Sequence, residues 1–170
     1  MTTRWKPLHW LALLASAAAV VIAAYLGLGG NAPKAPAVTY ALLDGSQKTT
    51  DQLKGKVYLV NFWATSCVTC VKEMPEMVQT FEKFKGRGFD HVAVAMKYDP
   101  PAFVKSFADS RKLPFMVAID NTGAVAKSWN DTQLTPTTYL VDKQGRVVKR
   151  YVGEPDFKAL HALIEQLLAA

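Results

Sequence analysis

The chain predicts an α/β domain, a central mixed β-sheet flanked by helices, behind one N-terminal transmembrane helix. Three features carry that expectation. Residues 57–63, VYLVNFW, are β-branched and aromatic with one polar member, the pattern of a strand buried on both faces. Downstream of it, short β-rich runs alternate with stretches of helical spacing, the order of parallel crossover units. Ahead of it, no charged side chain stands between Lys6 and Lys34, and residues 8–28 form an apolar run. At about 1.5 Å per residue, that run crosses a hydrocarbon core of about 30 Å.

Composition narrows the class. Half of the 170 residues are apolar (50%) and a fifth are charged (20%), which excludes collagen-like, disordered and multi-span chains. The body behind the leader is then about one domain in size, since domains cluster near 100–150 residues. Net charge is +6, but three of the 20 basic residues, Arg4, Lys6 and Lys34, precede Ala37 and leave 17 against 14 acidic ones. The lysines are interleaved with acids, as at Glu82-Lys83 and Asp142-Lys143, so they read as a solvated surface and not a nucleic-acid stripe.

The leader sets the expected compartment. Trp5, Trp10 and Tyr25 lie near the ends of the apolar run, where aromatic rings prefer the headgroup level, and Arg4 and Lys6 precede it. The N-terminus is therefore expected in the cytoplasm and the body outside: a single pass of the inner (cytoplasmic) membrane, with the folded domain in the periplasm or outside the cell. A cleaved signal peptide is the competing reading, with small residues at Ala15-Ser16-Ala17, but signal cores run about 7 to 15 residues and this run continues past the site. Either way the body is exported. The expected division is residues 1–28 as cytoplasmic stub and anchor, 29–37 as a Gly/Pro-containing linker, and 38–170 as the folded domain.

Within the body the elements follow in order. Residues 38–43 and 48–50 read as two short strands joined through the Asp44-Gly45 turn pair. The buried strand at 57–63 leads to a helix over 68–85, in which Pro75 removes the hydrogen bond to the Val71 carbonyl. A strand at 91–96, a helix at 101–111, a strand at 115–119 and a short helix at 124–129 come next. Strands at 137–141 and 146–152, linked by the turn at Asp142-Lys143-Gln144-Gly145, form a closing hairpin. A helix at 156–168 ends the chain, with Phe157, Leu160, Leu163, Ile164, Leu167 and Leu168 on one side. Parallel pairing is expected in the middle of the sheet and an antiparallel edge from the hairpin.

The only two cysteines are spaced Cys67-Val68-Thr69-Cys70, where the buried strand gives way to a helix. A bridge closing so small a loop removes little chain entropy, so a structural staple gains little from it. The position suits redox chemistry. Unpaired N–H groups and the dipole at a helix N-terminus favour negative charge, so Cys67 is expected to be the attacking thiolate. Cys70, three residues on and on the same helix face, is placed to resolve a mixed disulfide. Zinc needs four ligands, and His9, His91 and His161 show no ligand spacing; no metal site is expected, although two thiolates are soft enough for transient Cu(I).

The stretch Val60-Asn61-Phe62-Trp63-Ala64-Thr65-Ser66-Cys67-Val68-Thr69-Cys70-Val71-Lys72-Glu73-Met74-Pro75 resembles the active-site segment of the TlpA/ResA branch of the thioredoxin family. Leu134-Thr135-Pro136-Thr137-Thr138-Tyr139-Leu140-Val141-Asp142 resembles that family's cis-proline strand, and residues 145–153 its closing hairpin. The resemblance implies a thioredoxin-like fold, a membrane-anchored domain and extracytoplasmic disulfide reductase activity. It makes Cys67 the nucleophile, Cys70 the resolving thiol and Pro136 a cis-proline, with Thr135 presenting its backbone to a peptide and Trp63 near the dithiol as part of the substrate site. Glu73 stands where this branch carries an acid; Asn61 takes the place of thioredoxin's buried Asp and cannot accept a proton.

Two positions depart from the family pattern. Ser66 stands where Trp is frequent, and Thr69 where Pro is frequent, which bears on partner choice and redox poise. The implied partners are protein disulfides, for example in cytochrome c maturation or oxidase copper-site assembly, and a membrane electron donor of the DsbD/CcdA type. A monomer is expected, with no cofactor beyond the Cys67–Cys70 disulfide. The alternative is a copper-handling or cysteine-binding assembly module without redox turnover.

Overall fold

In the computed structural model, which describes residues 32–170, every side chain of the VYLVNFW run is buried. The elements in chain order are β1 (Thr39–Ala41), β2 (Gln47–Thr49), a 3-10 turn (Thr50–Leu53), β3 (Val57–Trp63), α1 (Val68–Phe84), β4 (Phe89–Ala95), α2 (Pro101–Arg111), β5 (Met116–Ile119), α3 (Ala124–Ser128), β6 (Thr137–Val141), β7 (Val147–Val152) and α4 (Phe157–Ala169). The expected membrane span, residues 8–28, lies outside the described residues. Among the described residues no helix is long and apolar enough to cross a membrane.

Five strands form one sheet in the order β5-β4-β3-β6-β7, and β1 and β2 form a separate hairpin. β3 runs parallel to β4, and β4 to β5. β6 runs antiparallel to β3 and to β7. The sheet is therefore mixed, as expected, but its antiparallel part is wider than a closing edge, because β6 pairs with the central strand itself.

The alternation of β3 divides the core. Val57, Leu59 and Trp63 join an apolar cluster with Met77 and Phe84 of α1, Val104 of α2 and Leu160 and Ile164 of α4. Tyr58, Val60 and Phe62 point the other way, toward Tyr40, Leu53, Trp129 and Tyr139. Each fully buried aliphatic or aromatic side chain on such a strand stabilises the fold by about 1.5–3 kcal/mol relative to exposure.

Boundaries shift where long-range pairing decides them. β4 begins at Phe89 rather than 91 because the parallel ladder starts where β3 starts, with Val57 opposite Phe89. The 3-10 turn follows a capping box, in which Thr49 Oγ1 accepts from the Gln52 N–H and Gln52 Oε1 accepts from the Thr49 N–H. The last residues of the expected linker lie against the domain: Lys34 bridges Arg146, the Ala35 N–H donates to the Gly145 carbonyl at 2.8 Å, and Thr50 Oγ1 donates to the Pro36 carbonyl at 2.8 Å. The compact unit accordingly runs from Lys34 to Ala170.

In the second cluster the buried Trp129 Nε1–H donates to Tyr40 Oη at 3.1 Å, tying β1 to the segment after α3. Replacing Tyr40 with Phe leaves that N–H unpaired, and urea denaturation should register a loss of about 1–3 kcal/mol with the fold retained. A loss under about 0.5 kcal/mol would show that the bond carries no weight.

Candidate active site

β3 ends at Trp63, and a turn through Ala64, Thr65 and Ser66 delivers Cys67 to the start of α1, with the Cys67 N–H donating to the Ala64 carbonyl at 3.1 Å. Cys67 is the N-cap residue, with extended backbone (φ −88°, ψ 105°), and its sulfur accepts from the Cys70 N–H at 3.2 Å. A backbone N–H aimed at that sulfur is the arrangement that favours a thiolate. Cys67 and Cys70 are joined as a disulfide, their Cα atoms 5.2 Å apart. They differ in access. Cys67 is half-buried, whereas Cys70 is 0% exposed and Val68 between them is 83% exposed.

The turn ahead of Cys67 is fixed from β4's side of the sheet. Asp99, buried in the loop after β4, accepts from the Thr65 N–H and from Thr65 Oγ1, both at 2.6 Å. Two short hydrogen bonds to one buried side chain hold the loop that carries Cys67.

Beneath the dithiol lies a buried polar group of three. Glu73, one helical turn after Cys70, is 0% exposed, and its Oε1 accepts from Asn61 Nδ2 at 3.1 Å. The same amide nitrogen donates to Thr138 Oγ1 at 2.9 Å, linking α1, β3 and β6. Burial pushes the Glu73 carboxyl up to about 7, against the lowering effect of the Asn61 bond, and the nearby charge of Glu154 adds to the rise. Glu154 itself pairs with Lys72 at 2.9 Å.

The Thr135-Pro136 peptide bond is cis. The ladder sets Phe62 opposite Thr137, so Thr135 and Pro136 stand at the end of the sheet where β3 leads to the dithiol. Pro136 is buried and its carbonyl accepts from the Gly153 N–H at 2.8 Å; Thr135 is half-buried, with Tyr98 Oη 3.2 Å from its Oγ1.

Trp63 needs correcting as a substrate-site residue. Its side chain is wholly buried, in the cluster that holds Cys70, with its ring 5.2 Å from that of Phe107. A strand buried on both faces gives it no surface to offer a peptide, so it packs beneath the dithiol.

The histidines keep other company. His91 is stacked on Phe115 at 4.1 Å and pushed down to about 3 by burial, and His161 shares a 2.8 Å hydrogen bond with Thr80. Among the described residues no three His, Cys, Asp or Glu side chains are grouped to hold a metal ion. Asp99, Tyr98 and Thr138 are site residues that the sequence did not single out.

Fold and site together define a thioredoxin-like thiol-disulfide oxidoreductase. The chain belongs to the Redoxin family, whose profile matches residues 31–164. It is 34% identical over 134 residues to the thiol-disulfide oxidoreductase ResA of Bacillus thuringiensis subsp. konkukian, across 79% of this chain and 76% of that protein. Among solved structures it superposes on a candidate thioredoxin from Neisseria meningitidis with a TM-score of 0.75 and 38% identity, covering 82% of this chain and 92% of that one. A thioredoxin-family thiol:disulfide interchange protein from Chlorobium tepidum TLS matches with a TM-score of 0.75 and 27% identity, over 82% and 98% of the two chains.

The raised Glu73 carboxyl has a thermodynamic signature. Its folded value, about 7, lies above the ordinary 4.5, so the folded state keeps a proton that the unfolded state loses between those values. Stability is then fully present below the lower value and falls until pH passes the higher one. Oxidised E73Q should gain on the wild type across that window, by up to about 3 kcal/mol, and the gap should flatten above it. Parallel pH dependence of the two proteins in urea denaturation would refute a raised carboxyl.

Proposed function

We propose that this oxidoreductase is an extracytoplasmic disulfide reductase, held to the inner membrane by residues 8–28 with its N-terminus in the cytoplasm. The observation that carries the chemistry is the split access of the two sulfurs above a buried carboxyl. In the reduced protein the Cys67 thiolate attacks one sulfur of a target disulfide; the Cys67–target bond forms, the target's own bond breaks, and the departing sulfur leaves as a thiolate. Glu73 takes the proton of the Cys70 thiol, and Cys70 then attacks Cys67 Sγ. The second target thiolate departs and the Cys67–Cys70 bond closes. Two electrons have passed to the target.

Thr135 and Pro136 serve as the peptide-facing edge, next to the attacked sulfur. Val68 and Thr69 add no positive charge or imidazole to stabilise a thiolate strongly, which favours a reducing couple over an oxidising one. In an oxidising compartment the closed pair must be opened again, and by resemblance the source is a membrane electron donor of the DsbD/CcdA type. Protein disulfides met in cytochrome c maturation or oxidase copper-site assembly are the target class the same resemblance supports.

Trapping tests the scheme. A Cys70→Ser protein expressed in its host should accumulate covalent adducts on Cys67 that dithiothreitol releases; an adduct-free Cys67 would overturn it. Glu73→Gln should lower kcat for peptide disulfides by about a hundredfold with little change in KM, and should abolish the inflection near neutral pH. An unchanged pH profile would assign the proton to another group.

A further inference from the structure

One short loop touches both halves of the active site. The Met96 N–H donates to the Trp63 carbonyl at 3.0 Å, extending the β3–β4 ladder by one bond, and the chain then turns through Lys97, Tyr98, Asp99 and Pro100 into α2. Asp99 reaches Thr65, two residues ahead of Cys67. Its neighbour Tyr98 reaches the other way, to Thr135 beside the cis bond, with 3.2 Å between Tyr98 Oη and Thr135 Oγ1. Two adjacent side chains thus join segments that the sequence holds 34 and 37 residues away.

The pair differs in access. Asp99 is buried, so it acts as an internal tie, while Tyr98 is 54% exposed although its hydroxyl is held. A ring fixed at its tip and open on its face has already lost most of the freedom that binding would cost, and covering it returns apolar burial. Leu134, directly before Thr135, is 62% exposed, and Val68 between the cysteines is more exposed still. These three side chains belong to the three segments that meet at the dithiol, and among the described residues each is more than half exposed.

We propose that Tyr98 is a substrate-contacting and specificity-determining residue. Its ring receives an apolar side chain next to the cysteine of a target peptide disulfide, and its hydroxyl holds the Thr135 side chain so that the backbone at 135 meets the same peptide. The assignment rests on the reductase reading and sharpens it: the preferred targets are disulfides in extended segments with an apolar flanking residue. The polar-flanked segment is the discriminated competitor.

The test uses the reduced full chain and three substrates: 2-hydroxyethyl disulfide, and two disulfide-bridged peptides that differ only in Leu or Ser beside the cysteine. Wild type should favour the Leu peptide in kcat/KM by about tenfold, the scale of discrimination available to an apolar contact. Y98A should bring the ratio close to unity. Y98F should keep the preference but slow both peptides, and T135V should slow them similarly without adding to Y98F in the double variant. If Tyr98 merely braces the loop, Y98A slows all three substrates by one factor with the wild-type ratio intact, and the proposal is overturned. A wild type that reduces none of the three, 2-hydroxyethyl disulfide included, sinks the reductase reading and the proposal with it.

Discussion

β3 has no solvent-facing side. Ladders to β4 and β6 occupy both of its edges, apolar clusters cover both faces, and all seven of its side chains are buried. A strand enclosed in this way gives the chain access to solvent only at its ends. The C-terminal end becomes the site because of strand direction: β4 is parallel and finishes there, while β6 is antiparallel and starts there. Three segments therefore converge at one edge of the sheet: the turn to Cys67, the loop through Tyr98 and Asp99, and the cis bond before β6. Mixed pairing about the central strand assembles the site from residues far apart in the chain.

Placement along α1 then sorts three groups by solvation. Cys67 caps the helix and meets water; Cys70 and Glu73, each one turn further, sink into the core. The same burial that shields the second sulfur lifts the carboxyl toward neutrality, where a weak base is most useful. Asn61 lies under this group and supplies an amide that donates but does not titrate in the biological range. The titrating group is on the helix, and the strand holds it in register with Thr138.

Much of this was legible in the residues. Pro101 at a helix start, the β-branched run at 57–63 and the Thr137–Val141 segment marked their elements to the residue, because each boundary is set by local chemistry. Cys67 and Cys70 were legible from their spacing at a helix start, whereas Glu73 and Pro136 came from the resemblance to the TlpA/ResA branch. What escaped depends on contacts between distant segments. Asp99 and Tyr98 carry no local signal that joins them to Thr65 and Thr135, and the early start of β4 follows from its register against β3. Trp63 was misjudged for a related reason. The resemblance put it in the substrate site, whereas burial of both faces of β3 sets its ring in the core cluster with Leu59 and Cys70.

One reachable sulfur makes the protein a single doorway. Electrons arriving and electrons leaving must both pass through Cys67, on the same small face, since Cys70 is sealed beneath it. Whatever loads the pair and whatever unloads it compete for one footprint and have to take turns.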